Sequence, residues 1–316
     1  MKDRRKTWLN VGAFALAGTM LTPVPSGAVG APGDASLRSA GSPFLPGQSA
    51  RPLLLAAEGG EGGEAGEKIP ESYALPSANP PAFDARPAIA AYAAGVHANY
   101  VAAAAAARTM QAAVATLLEN PTDETLAAAR RAWTAARPAY LVTEAYRFYD
   151  GPIEQLEARI NSWPLDESYI DYVVGNPKAG IINDPSVPIS IARIDALDQK
   201  TDEDDVTTGW HAIEFLLWGQ DLDADGAGNR PVGDYVAGKD NNDRRREYLE
   251  LVTAQLVSDL DELAGDWAPG DPGNYAATFL KLPEREALGR MINGIAVLAG
   301  SELMAERMAV ALDSGD

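Results

Sequence analysis

Gly209-Trp210-His211-Ala212-Ile213-Glu214-Phe215-Leu216-Leu217-Trp218-Gly219-Gln220-Asp221 is apolar on every side of its two titratable residues. Read as a helix closed by Gly219, the stretch has no polar face, and a helix that is hydrophobic all round is buried. His211 and Glu214 stand three residues apart and so share one helical face. A buried carboxylate beside a buried imidazole needs partners, because an unpaired buried charge is costly. A metal ion is one such partner, and a neighbouring arginine is another.

Outward from this stretch the chain reads as helices throughout. Residues 83–120 form a long Ala-rich helix that carries His97, held in reserve as a ligand candidate. Thr122 or Asp123 caps a second helix to about residue 149, with a kink expected at Pro138. On it Trp133, Arg137, Tyr140, Leu141, Glu144 and Phe148 recur at steps of three and four, so Glu144 lies in an aromatic stripe. Glu144 has two readings of equal weight: a metal ligand, or an internal ion pair with Arg137 or Arg147.

Shorter helices follow at 152–160 and 166–173, the latter with Asp166 at its N-terminus, and the proline-rich stretch 175–190 reads as a loop. Asp202 to Asp205 are expected to supply an acidic first turn to the helix of His211. Asp221-Leu222-Asp223-Ala224-Asp225-Gly226 starts like a calcium-binding loop, but Val232 stands where such a loop needs a bidentate glutamate, so an ordinary polar loop is expected. A helix from Asn242 and a last long helix over 283–312 complete the chain, and Glu302 continues the stripe Leu288, Met291, Ile295, Leu298 with Arg307 as its expected partner. No segment alternates as a strand. The fold class is therefore all-α, built by antiparallel packing of amphipathic helices.

Composition narrows the chemistry. The 316 residues carry 26 Lys+Arg against 45 Asp+Glu, a net charge of −19, which excludes a nucleic-acid partner held by clustered basic residues. Cysteine is absent, so disulfides, thiolate zinc sites, iron–sulfur clusters and a cysteine nucleophile are excluded. Only His97 and His211 can supply imidazole nitrogen. The N-terminus has a basic segment (Lys2, Arg4, Arg5, Lys6), an apolar run over 8–21 and a small-residue site Ser26-Gly27-Ala28. Residues 1–28 are read as a cleaved signal peptide, with no membrane span remaining in the processed protein, and the location as periplasm or cell envelope. Residues 29–82, rich in Gly, Pro and Glu, are read as a disordered tether, leaving 83–316 as the folded domain.

Familiar metal signatures are missing. Phe215 stands where an inverse zincin motif needs its second histidine, and the Glu-x-x-His pairs of a di-iron bundle do not occur. What remains is a His-x-x-Glu pair suited to one ion, iron or zinc, through nitrogen and oxygen, with Glu144 the best-placed third ligand on pattern grounds.

Gly209-x-His211-x-x-Glu214 resembles the signature of the imelysin-like proteins, a family of exported bacterial proteins. Flanking blocks agree, among them Trp133 to Tyr140, Thr143-Glu144-Ala145-Tyr146-Arg147-Phe148, Gly151-Pro152-Ile153-Glu154, Trp163-Pro164-Leu165-Asp166 and Gly300-Ser301-Glu302-Leu303 with Glu306-Arg307-Met308. The resemblance implies two related helical bundles with the His-x-x-Glu pair near their junction. It implies a metal site of His211, Glu214 and Glu144; Gly209, Arg137, Arg147, Asp166, Glu302 and Arg307 are read as supporting residues. It also implies a part in iron acquisition beside other envelope iron-uptake proteins. The family carries a peptidase label, which one His-x-x-Glu pair does not support, since metal-assisted hydrolysis needs a third ligand and a general base. A third reading is a structural or binding module without metal. Family members continue past the Glu306-Arg307-Met308 helix, whereas this chain stops at Asp316; a truncated form would have an incomplete second bundle.

Overall fold

A computed structural model describes residues 84–222 and 226–314. The expected signal peptide and tether, and the middle of the calcium-like loop, lie outside the described residues. Within them the fold is all-α, and the nearest approach to a strand is one isolated bridge between Val173 and Asn176.

The first helix, α1 (Arg86–Glu119), starts at a proline in its first turn and buries Ile89, Val96, Tyr100, Ala103, Ala107, Met110, Val114 and Leu117 along one stripe. It is long and apolar enough to cross a membrane, yet it packs along α2 (Asp123–Leu141) and α7 (Asn242–Asp266) as the central helix of the core. Thr122 caps α2 by a reciprocal capping box with Thr125, and that helix stays continuous through Pro138.

The stripe expected to run on to residue 149 breaks at Leu141. Val142–Tyr146 is a tighter 3-10 segment, which re-aims Glu144 relative to a continued α-helix. The region expected as a helix over 152–160 is a 3-10 turn, Pro152–Gln155, followed by α3 (Glu157–Asn161). Next come α4 (Glu167–Ile170), capped by Asp166 through Ser168, and α5 (Ile191–Asp195). Arg244 holds the loop between them by donating to the carbonyls of Ile181, Ile182, Asp184 and Val187 at 2.7–2.9 Å.

The stretch around His211 is α6 (Gly209–Trp218), and eight of its residues are buried, as expected from its apolar surface. The acidic first turn is not there. Asp205 lies four residues before the helix and instead accepts from Asp202 N at 3.1 Å and from Thr201 Oγ1, while Asp198 accepts from Thr207 N at 2.7 Å. The C-terminal carbonyls of a buried helix need donors. Arg130 Nε donates to Leu217 O at 3.0 Å, Arg230 N to Trp218 O at 2.7 Å, and the Tyr235 hydroxyl to Leu216 O. Gly219 ends α6 at φ 70°.

After α8 (Tyr275–Phe279), α9 (Glu284–Val297) returns to pack on Val142–Tyr146 and α1. Gly294 permits that contact, because a Cβ there would stand 2.3 Å from Ala145 O. The last helix, expected as one α-helix, changes winding at Leu298–Ala309, a π-helix with no buried residue, before ending in α10 (Val310–Ser314). One hydrophobic core holds the described residues together, around α1, α2, α6 and α7.

Candidate functional site

Gly209 fixes where the site begins. Its φ is +80°, and a Cβ would stand 2.4 Å from Ile160 O, so α6 abuts the backbone at the end of α3 at a distance only glycine permits. Thr208 Oγ1 donates to Arg159 O at 2.9 Å beside it. The indole of Trp133 on α2 donates to Trp210 O at 3.0 Å, tying α2 to the first turn of α6. These contacts set His211 against α2.

His211 Nδ1 lies 3.0 Å from Glu214 Oε2. A carboxylate only accepts, so Nδ1 carries the proton and Nε2 of the neutral ring presents its lone pair. Burial pushes the imidazole below its ordinary pKa, with the Glu214 hydrogen bond pulling back and Arg137 adding to the fall. Neutral imidazole is the form that ligates metals, and a carboxylate on the far nitrogen is the usual way to orient it. Glu214 thus stands behind the ring as its orienter.

What faces Nε2 is Arg137 Nη2, at 3.4 Å. The guanidinium is held by Asn161 Oδ1 at 2.6 Å and stacked within 5.8 Å of the ring centroids of Trp133, Tyr140 and Trp210. Arg137 is 8% exposed, and burial lowers its pKa, with Tyr140, Glu214 and Glu144 opposing the fall. It remains a cation at any ordinary pH.

Glu144 lies in the neighbouring cluster. Arg147 Nη1 donates to its Oε2 at 3.1 Å and also sits 3.4 Å from Glu157. Arg307 reaches in from the C-terminal helix, 3.9 Å from both Glu144 and Glu302. Glu144 Oε1 is buried without a hydrogen-bond partner. The structure therefore brings Arg137 to His211 and Glu214, and brings Arg147, Arg307 and Glu302 to Glu144. Asp166 belongs elsewhere, as the cap of α4. His97 joins no group of three metal-capable side chains among the described residues. Sequence reasoning misses Asn161 and Glu157; both sit on a short helix whose pattern carries no signal.

As arranged here the donors do not fit a bare metal ion. No three His, Asp or Glu side chains converge among the described residues, and the available imidazole nitrogen faces a guanidinium. Two like charges about 4 Å apart repel by about 4 kcal/mol at an effective dielectric constant of ~20.

A larger ionic network lies behind α6. Asp171, wholly buried, accepts from Arg230 Nη1 at 2.7 Å, Arg245 Nε at 2.6 Å and Nη2 at 3.0 Å, Asn183 Nδ2 at 3.1 Å and Tyr172 N at 2.8 Å. Arg230 also stacks on Phe215 of α6. Every site of this carboxylate is engaged, so the network reads as support for α6.

The imelysin (peptidase M75) family profile matches residues 96–316. Iron-regulated protein A of Synechococcus elongatus is 28% identical over 120 residues, which are 38% of this chain and 28% of that protein. The solved structure of a putative iron-regulated protein A precursor from Parabacteroides distasonis matches with a TM-score of 0.48 at 21% identity, over 69% of this chain and 55% of that one. The chain thus spans about half or less of the length of these relatives.

Proposed function

The chain belongs to the imelysin family, and on that premise we propose that it is an exported, iron-linked protein of the cell envelope that holds one metal ion at His211 once Arg137 has moved off Nε2, and that it performs no catalysis. The observation that carries the reading is the neutral imidazole, its Nδ1–H fixed on Glu214 and its Nε2 left without a proton, in a side chain that keeps 20% of its surface exposed. The free Oε1 of Glu144 supports a nearby oxygen donor. The iron link is supported by the name of the Synechococcus relative, and export by the N-terminal pattern of basic, apolar and small residues. Iron is the cargo we favour over zinc, with other envelope iron-uptake proteins as partners. The absence of a third ligand beside His211 and Glu214 among the described residues lends no support to the peptidase label.

Calorimetric titration of the full chain with zinc sulfate and ferrous sulfate tests this, beside His211→Ala and Glu214→Gln. His211→Ala is expected to abolish the specific heat, and Glu214→Gln to weaken affinity by roughly 10–100-fold, as for loss of a ligand's orienting carboxylate. Equal affinity in all three proteins would sink the reading.

One observation favours a second reading, a binding module without metal: Arg137 meets His211, and Arg147 meets Glu144, so two of the three expected ligands already have an arginine. Under that reading none of the three proteins takes up metal.

A further inference from the structure

We propose that the C-terminal helix is a docking surface for a second copy of this chain, and that two copies pair antiparallel along it about a two-fold axis near Leu303.

The surface follows from the winding of the helix. On α9, Ile292 and Ile295 point away from the core, and both are more than half exposed. At about 100° per residue an α-helix would carry Met308 to the side opposite Ala299, nine residues earlier. The π-helix Leu298–Ala309 turns by roughly 80° per residue, so residues four and five apart stay in line. Ala299, Leu303, Met304 and Met308 therefore continue the face of Ile292 and Ile295, and Leu312 on α10 extends it. The large side chains of this stripe are 38–80% exposed. Glu302 and Arg307 lie to one side of it, toward Glu144, so no charge interrupts the stripe.

Nothing in the body of the protein covers this face among the described residues. Leu298–Ala309 buries no residue and packs closely only on α9 and α10, its neighbours in the chain. A helix of this kind draws its stability from burying its apolar face. Ile292, Ile295, Leu303, Met304, Met308 and Leu312 together expose on the order of 700 Å², more than the largest apolar patch of a typical monomer. Two copies would bury ~1,400 Å², within the range of stable, specific interfaces.

The stripe is its own complement. Under a two-fold axis at its middle, Ile292 of one copy meets Leu312 of the other, Ile295 meets Met308, and the small Ala299 lets the helices approach. A membrane surface fits less well. Residues 284–314 contain no lysine, and Glu302 and Glu306 outnumber Arg307 on the π-helix, whereas helices that lie on membranes carry a polar face rich in Lys and Arg. The charge of −19 on each chain opposes pairing weakly, since exposed charges beyond about 10 Å are screened at ordinary ionic strength. Pairing would also hold the arm that brings Arg307 to Glu144 at the candidate site.

Sedimentation equilibrium of the full-length protein tests this. Wild type is expected to be a dimer at about 100 μM. Met308→Glu and Ile295→Glu are each expected to weaken association at least about 100-fold, because a two-fold interface buries every added carboxylate twice, with the circular dichroism of the monomer unchanged. The chain has no cysteine, so single cysteines report proximity. A short bismaleimide is expected to link Leu303→Cys into dimers and to leave Glu306→Cys, on the other side of the helix, monomeric; this pair decides the matter if a glutamate variant fails to fold. A monomeric wild type at that concentration would overturn the inference, as would glutamate variants that stay dimeric or equal cross-linking at both positions. Binding to phosphatidylglycerol vesicles that Met308→Glu abolishes, by a protein monomeric in solution, would assign the face to a membrane instead.

Discussion

Glu167 opens α4 with 9% of its surface exposed and its Oε1 without a partner. Burial pushes its pKa up from 4.5 to about 7, against the pull of a Gln220 hydrogen bond, and Asp166 and Asp221 add to the rise. Between the two values the unfolded chain has released this proton while the folded chain keeps it, so raising the pH through that window destabilises the fold. Glu167→Gln is therefore expected to stabilise the protein at pH 8 by about 1–3 kcal/mol, since each tenfold change in proton affinity is worth roughly 1.4 kcal/mol, and to have little effect at pH 4. Urea unfolding at the two pH values checks this; an equal effect at both would refute it. Sequence pattern singles out Asp166 and passes over Glu167, because in a four-residue helix periodicity cannot tell which of two adjacent carboxylates turns inward. For Arg137 the pattern is informative in part. Its stripe of aromatics is legible, but the stacking of Trp210 from another helix depends on how α2 and α6 meet, which no local spacing encodes.

Among the elements, α6 is the most legible, since ten residues with scarcely a polar position can only be buried. Its start is not. The acidic run at 202–205 imitates a first turn, yet α6 is preceded by an extended Thr208 and begins at a left-handed Gly209, and this conformation is set by the backbone of α3. Gly209→Ala should accordingly lower stability by about 2–5 kcal/mol, combining left-handed strain with overpacking, and shift the urea midpoint far more than Gly233→Ala, where a Cβ meets nothing within 4 Å. Similar midpoints for the two variants would contradict the close approach. The α2 stripe shows the opposite failure. Seven residues separate Arg137 from Glu144, which stacks them on an unbroken α-helix, but the tighter winding from Val142 intervenes, and Glu144 pairs with Arg147 instead.

For the molecule as a whole, the buried Asp171 network joins α4, α6 and α7 through Arg230 and Arg245. Burial alone would raise the Asp171 pKa, but the Arg245 hydrogen bond and the Arg230 charge hold it below its ordinary value. Its contribution is thus present above the ordinary carboxylate range and is lost as the pH falls through the folded pKa. Asp171→Asn leaves two buried guanidinium groups without their anion, and should cost about 3–5 kcal/mol at pH 7, with the deficit shrinking in acid; thermal unfolding across pH 3–7 measures it, and a constant deficit would argue against the pairing. None of this network is legible in the sequence, because Asp171, Arg230 and Arg245 are far apart in the chain and no local spacing links them. The helical class is legible everywhere, and the winding of its last segment nowhere. That winding governs Arg307. Glu302 and Arg307 are five residues apart, a spacing that puts side chains one above the other in a π-helix and on different faces of an α-helix. Removing any one residue between Leu298 and Glu306 would rotate everything after it by roughly a quarter turn and swing Arg307 off Glu144, whereas exchanging a residue for another of like size would leave it in place. The aim of this arginine is thus set by counting, and the length of the segment matters more than its composition.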